Sequence, residues 1–360
     1  MSTHLSPAQL EQLCLDIGHW CQELGFQQMG ISGIELGEHP EYLKRWLAQG
    51  YHGEMDYLER HAELRAEPAQ LHPGTLRVIS VRMNYLAPEV ETIKVLSQPE
   101  RAYISRYALG RDYHKLIRKR LTELAKRIEA AIGPFGYRAF VDSAPVMERA
   151  LANQAGLGWV GKNTMVMNRQ AGSWFFLGEL YTDLPLPLNT EQQKEHCGRC
   201  TSCLDLCPTK AFIAPYWLDA RKCISYLTIE YKGSIPLELR PLIGNRIFGC
   251  DDCQLVCPWN RFARFSPEAD FTPRHALDRA TLLELFAWDE DTFLRLTEGS
   301  PIRRSGYECW QRNLAVALGN APSNPAIIAA IEQRLPSATP LVAEHLQWAL
   351  SRQRTQQATL

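Results

Sequence analysis

The run Cys197-x2-Cys200-x2-Cys203-x3-Cys207-Pro208 decides how this chain is read. Three cysteines at two-residue intervals, then a fourth followed by proline, is the spacing that wraps a cubane 4Fe-4S cluster and sends its fourth cysteine to a neighbouring cluster. Thiolates suit zinc and copper as well. Structural zinc sites, however, pair C-x2-4-C units at a distance, so the spacing selects clusters. A second block, Cys250-x2-Cys253-x3-Cys257-Pro258, lacks the leading cysteine, and Cys223, stranded upstream between Lys222 and Ile224, can supply it. By the arrangement of two-cluster ferredoxins, Cys197, Cys200, Cys203 and Cys257 hold one cluster, and Cys207, Cys223, Cys250 and Cys253 hold the other.

Two clusters form a wire for single electrons, and a wire needs an acceptor. A dedicated carrier has no use for long flanking segments, and at 360 residues the chain points to two or three domains and a redox enzyme with its own active centre. The 45% hydrophobic and 22% charged composition is that of a globular protein. The formal net charge of -1 gives no global attraction to polyanions, so any nucleic-acid contact must come from local basic patches. With no signal-peptide pattern and no apolar run of spanning length, a cytoplasmic protein without membrane contact is expected. Eleven cysteines in that compartment serve metal ligation rather than crosslinking. Cys14, Cys21 and Cys309, outside both blocks, read as buried small hydrophobes.

Ser6-Pro7-Ala8-Gln9 is a capping-box start, with Leu10, Leu13, Cys14, Ile17 and Cys21 following at helical spacing. Leu76 to Leu86, Tyr137 to Val141, Lys162 to Met167 and Trp174 to Thr182 read as strands, the last two joined by a turn at Asn168 to Gly172. Asp112 to Ile132 is a helix ended by Gly133-Pro134. Its polar face carries Lys115, Arg118, Lys119, Lys126 and Arg127, ordinarily a solvated surface. The predicted organisation is an α+β multidomain protein: an α/β domain over 1–190, a ferredoxin-like double-cluster domain over 191–265, and an α-helical unit over 266–360. In that last unit 313–319 is echoed by 345–351, suggesting a HEAT-like repeat.

Asp142-Ser143-Ala144-Pro145 leaves a strand and enters the helical pattern Val146 to Ala152. Asp142 or Ser143 reads as an N-cap; alternatively, apolar surroundings raise the Asp142 pKa until it stays a proton donor near neutral pH. The glycine-punctuated stretch Gly156 to Thr164 has no P-loop frame and fits close backbone approach to another large cofactor.

Together, Arg106 to His114, Asp142 to Arg149, Gly158 to Thr164, Gly172 to Glu179, Arg221 to Tyr226 and Gly249 to Gln254 resemble the epoxyqueuosine reductase family, from about residue 10 to the C-terminal helices. The resemblance implies a cobalamin-dependent iron-sulfur enzyme for the last step of queuosine synthesis, reducing the epoxide of epoxyqueuosine at the tRNA wobble position. It implies that the N-terminal domain binds cobalamin, that the clusters reduce cobalt toward Co(I), and that Asp142 is the proton donor. Asp112-x-His114 lacks the glycine of the D-x-H-x-x-G signature, so base-off cobalamin without a histidine ligand is expected. Asn163, Thr164, Ser173 and Ser225 are the expected cobalamin contacts. The implied partners are tRNA and an external electron donor of unknown identity, with the protein acting as a monomer. Lys115, Arg118, Lys119, Arg303, Arg304 and Arg312 are candidate phosphate contacts, the last three in the helical unit. A corrinoid reductive dehalogenase, or a cluster protein that only carries electrons or binds RNA, is the competing reading; the missing twin-arginine export signal argues against the dehalogenase.

Overall fold

The computed structural model describes residues 5–88, 90–189 and 193–358. Helix α1 (Pro7–Glu23) starts on the expected capping box, with Ser6 accepting from the Gln9 amide and the Gln9 side chain closing back on Ser6. Next come β1 (Gln28–Ser32), α2 (His39–Ala48), β2 (Arg77–Asn84), α3 (Tyr113–Ile132), β3 (Tyr137–Phe140), α4 (Glu148–Gln154) and β4 (Phe175–Thr182). The strands make one sheet in the order β1-β2-β4-β3, antiparallel at every pairing. This N-terminal part is therefore α+β in topology, not the α/β arrangement expected from its alternating pattern. Strand direction depends on partners distant in sequence, which periodicity does not register.

Both faces of the sheet are covered, which is why β2 and β4 are buried almost throughout. On one face Ile79, Val81, Met83 and Leu180 pack under α1 and α3. On the other, Val78, Phe140 and Tyr181 meet Val146, Ala150 and Leu151 at α4. Glu179 lies between Tyr181 and the α4-facing Leu177 in the strand alternation, so it also faces α4. The predicted strand over Lys162 to Met167 shrinks to Val166–Met167, paired with Trp159–Val160. Between them the chain turns on a Thr164 amide donating to the Gly161 carbonyl. A Cβ at Gly158 would lie 2.1 Å from the Met167 carbonyl oxygen, so this glycine serves hairpin closure rather than approach to a cofactor.

The C-terminal part comprises several short turns and α5 (Tyr307–Asn320), α6 (Pro325–Arg334) and α7 (Pro340–Ala358). The two echoed stretches touch: a Cβ on Gly319 would sit 2.4 Å from the Trp348 ring. The core beneath α5 also takes in Ala102, Ile104, Leu109, Ile247 and Phe248, so these helices share apolar packing with earlier segments. The expected boundary at 190/191 lies outside the described residues. Cys21 and Cys309 are buried, as their reading required, while Cys14 is only half-buried against the main core.

Arg312 overturns its expected role as a phosphate contact. It is fully buried in α5, and its guanidinium donates to the carbonyls of Tyr231, Gly233 and Leu227 at 2.7 to 2.8 Å. Its charge pointed to a surface position, but α5 is wrapped by protein on all sides from Cys309 to Gly319. Arg312→Ala should destabilise the fold by about 3 kcal/mol, because buried carbonyls lose their donor. Chemical denaturation of the two proteins checks this, and a cost near zero would refute it.

Candidate active site and cluster sites

Asp142 follows β3 on a tight turn, and α4 does not begin until Glu148, with no side chain capping it. The N-cap reading of Asp142 and Ser143 therefore fails, and the Asp142 carboxylate is free for other partners. Tyr113 donates its hydroxyl proton to Asp142 Oδ2. His114 Nε2 lies 2.6 Å from Asp142 Oδ1, and His114 Nδ1 lies 2.6 Å from Asp112 Oδ1. Arg304 closes the chain 3.2 Å from Asp112 Oδ2.

This network sets the protonation state. Burial opposes charge on His114, but the two carboxylates outweigh it and raise the imidazole pKa to about 9. Burial likewise raises the Asp142 pKa, but the His114 hydrogen bond and charge, the Tyr113 hydrogen bond and the Arg304 charge win. Asp142 is thus held below its usual range, contrary to the expected elevation, and the resting proton is on His114. Its side chain is nonetheless 39% accessible, because a cavity opens onto it. Both imidazole nitrogens are engaged by carboxylates, which fits the expectation that this histidine does not ligate cobalt. Sequence reasoning missed His114 and Tyr113, although Asp112-Tyr113-His114 at a helix start was the available signal.

The cavity measures about 680 Å³ and is lined by α2, the segment around Met55 to Arg65, α4, the 159–164 hairpin and residues 216–220. Leu43, Trp46, Met55 and Leu58 make one wall apolar, while Asp142, Glu148, Arg149 and Thr164 supply polar groups. Arg65 Nη1 reaches the carbonyls of Ala144 and Val146 and so braces the Asp142 turn. Arg65 Nε and Gln193 Oε1, both buried at this cavity, have no partner among the described residues.

Of the four expected cofactor contacts, Thr164 lines the cavity. Asn163 is buried and donates to the Cys253 carbonyl while accepting from the Met165 amide. Ser173 is buried against Asn260 and Gln254. The Ser225 amide points to the Cys223 sulfur. Asn163, Ser173 and Ser225 thus serve the hairpin and the cysteine loops.

The cysteine thiols of the two blocks and Cys223 lie within electrostatic reach of one another, with Cys203 acting on Cys253 across the two expected sets. Burial, then the thiols of Cys257, Cys197 and Cys200, pushes the Cys203 thiol up to about 11. Burial, then Cys223, Asp251, Cys203 and Cys207, pushes Cys253 up as well. Cys223 in turn feels Cys207, and Cys250 feels Cys223. Crowded thiols that resist ionisation together are stabilised as thiolates by a multiply charged metal group. Among the described residues no three His, Cys, Asp or Glu groups converge tightly enough for a single ion. An all-thiolate donor set at this loop spacing fits iron-sulfur clusters. Asp251, also buried, anchors the second loop by accepting from Tyr103 at 2.6 Å and from the Arg106 amide at 2.8 Å.

A separate basin of about 670 Å³ gathers Arg111, Lys115 and Lys119 with Arg274, His275 and Arg295, against Asp112, Asp270 and Glu298. Asp112 connects this basin to the His114–Asp142 pair.

These features define a class: a double-cluster iron-sulfur protein with an acid–base cavity. The family model "4Fe-4S double cluster binding domain" matches residues 196–260, and "Epoxyqueuosine reductase QueG, DUF1730" matches 65–143. The epoxyqueuosine reductase of Pseudomonas aeruginosa is 64% identical over 352 residues, covering 98% of each chain. The chain belongs to the epoxyqueuosine reductase family. A solved Bacillus subtilis member, with its catalytic aspartate loop swung out of the active site, superposes with a TM-score of 0.86 at 26% identity, covering 95% of this chain and 91% of that one. Another, solved with an epoxyqueuosine-modified tRNA stem loop, has a TM-score of 0.82 at 25% identity and covers 96% of this chain and all of that one. No helix among the described residues is long and apolar enough to cross a membrane.

Proposed function

We propose that this protein reduces the epoxide of epoxyqueuosine in tRNA to the alkene of queuosine, with electrons entering through two 4Fe-4S clusters and a proton delivered to the epoxide oxygen from Asp142. The observation that carries this is the Asp112–His114–Asp142 chain opening into a cavity also lined by Ala220, which shares an apolar cluster with Cys223 and Cys250. Cobalamin suits that cavity, because its amide rim offers partners to Arg65 Nε and Gln193 Oε1 and Thr164 stands at the wall. Bound there, it supplies a strongly reducing metal centre.

The residues of this chain manage the proton. His114 holds it, and Asp142, linked through a 2.6 Å contact, delivers it to the epoxide oxygen and is reprotonated from His114. Tyr113 fixes the carboxylate orientation. The basic basin supports phosphate contact by the tRNA, with Lys115 and Lys119 from α3 and Arg274 and Arg295 from the C-terminal part. In this reading residues 1–190 carry cofactor and catalysis, 191–265 the clusters, and 266–360 a HEAT-like tRNA-binding unit. Cys200 is exposed, so its cluster is the one an external donor meets first.

Anaerobic protein loaded with iron, sulfide and cobalamin, given a chemical reductant and epoxyqueuosine-containing tRNA, should convert that nucleoside to queuosine. Nucleoside mass spectrometry reads the loss of one oxygen. No conversion at full cofactor loading would overturn the proposal.

A further inference from the structure

Glu179 is wholly buried in the middle of the sheet, and neither of its carboxyl oxygens has a hydrogen-bond partner among the described residues. It is paired with Ser80 on β2 and Phe140 on β3. The Ser80 hydroxyl is likewise buried and without a partner among the described residues, as is that of Ser32 on β1. An unpaired carboxylate in such surroundings costs far more than a neutral acid. Glu179 is therefore held as the neutral acid, and burial first, then the negative charges of Glu148 and Asp142, favour its proton.

The helix packed on this face of the sheet carries a second carboxyl, Glu148. It opens α4, is half-buried, and lines the same cavity as Asp142. The groups acting on it are Asp142, Arg149, Arg65 and His114; burial and then Asp142 dominate and raise its pKa to about 8. Three carboxyls thus run from the sheet interior to the cavity, and the known pull of His114 ionises only the outermost, Asp142.

The chemistry proposed above leaves one proton unaccounted for. When an epoxide becomes an alkene, both carbon–oxygen bonds break, a carbon–carbon π bond forms, and the oxygen leaves as water. The balance is two electrons from an external one-electron carrier and two protons. Asp142, backed by His114, supplies the first. We propose that Glu148 supplies the second proton, to the departing hydroxyl, and that Glu179 is the buried store behind it. This rests on the epoxide-reducing reading of the same cavity.

The test has two arms. In the first, infrared difference spectra of the cofactor-free protein near neutral pH, wild type minus Glu179→Gln, should show the carbonyl stretch of a protonated carboxylic acid. Glutamine matches the neutral acid in size and charge, so the melting temperature should hold. A carboxylate signal in its place would overturn the store. In the second, Glu148→Gln in the loaded enzyme should lower kcat by about tenfold or more. It should also remove the part of the wild-type decline in rate that begins near pH 8, where Glu148 loses its proton, and leave the part near pH 9 that follows His114. Unchanged kcat with the alkaline decline intact would overturn the donor. Failure of the wild type to convert epoxyqueuosine at all would fall on the proposed function, and the infrared arm would still decide whether Glu179 stores a proton.

Discussion

Asp142→Asn should reduce turnover by about 100-fold or more while leaving iron and cobalamin content unchanged. Asparagine keeps the size and shape of the side chain, so the β3-to-α4 turn braced by Arg65 should survive. The amide carries no transferable acid proton and no charge to balance the His114 imidazolium. In the wild type, Asp112 and Asp142 together raise the His114 pKa to about 9. Losing one of them should bring that value down, which NMR titration of the imidazole reads directly. The sign of the stability effect follows: the imidazolium stabilises the folded state fully below the unfolded histidine pKa, near 6.5, and this contribution is lost as pH rises through about 9. The variant should therefore lose stability relative to wild type at pH 6 and converge with it above pH 9. Activity within a few-fold of wild type would eliminate Asp142 as the proton donor, and an unchanged His114 titration would eliminate the ion pair as its cause.

What was legible in the sequence was local. Ligand spacing is fixed by the geometry of a short loop, so the cysteine blocks announced clusters, and the capping box of α1 and the glycine stop of α3 fell where expected. Asp142 stood out through its motif, but its protonation was misjudged, because the deciding partner, His114, lies on another element. Arg312 read as surface because charge on a periodic helix usually means solvent; only the packing of 227–233 around α5 shows otherwise. Asn163 and Ser173 sit in motif stretches, yet their polar groups are engaged by residues far along the chain. Glu179 lies inside an apolar strand and offers no sign that its carboxyl is turned inward, since a sequence does not say which face of a sheet is dry.

Cys223→Ser should remove one cluster and with it all turnover. Cys223 is separated in sequence from both cysteine blocks, but it sits at the start of a short helix, Ile224–Ile229, where the amides of Ser225 and Tyr226 point at its sulfur. Burial, outweighing those amides, raises its pKa, and the thiols of Cys207 and Cys250 lie within electrostatic reach. Such a sulfur is stable as a thiolate once iron neutralises it, whereas a serine alkoxide is a harder, far more basic ligand that suits the cluster poorly. Half the iron and sulfide should therefore disappear, with half the visible absorbance, while the set formed by Cys197, Cys200, Cys203 and Cys257 stays filled. Cys14→Ser, in a half-buried cysteine packed at the main core, should retain all of it. The partition itself is at stake in a second comparison: Cys207→Ser and Cys223→Ser should deplete the same cluster, and their double variant should lose no more iron than either alone. Additive loss would place the two cysteines on different clusters. It would also break the electron route, since Cys223 stands three residues beyond Ala220, on the wall of the cavity where the electrons are needed.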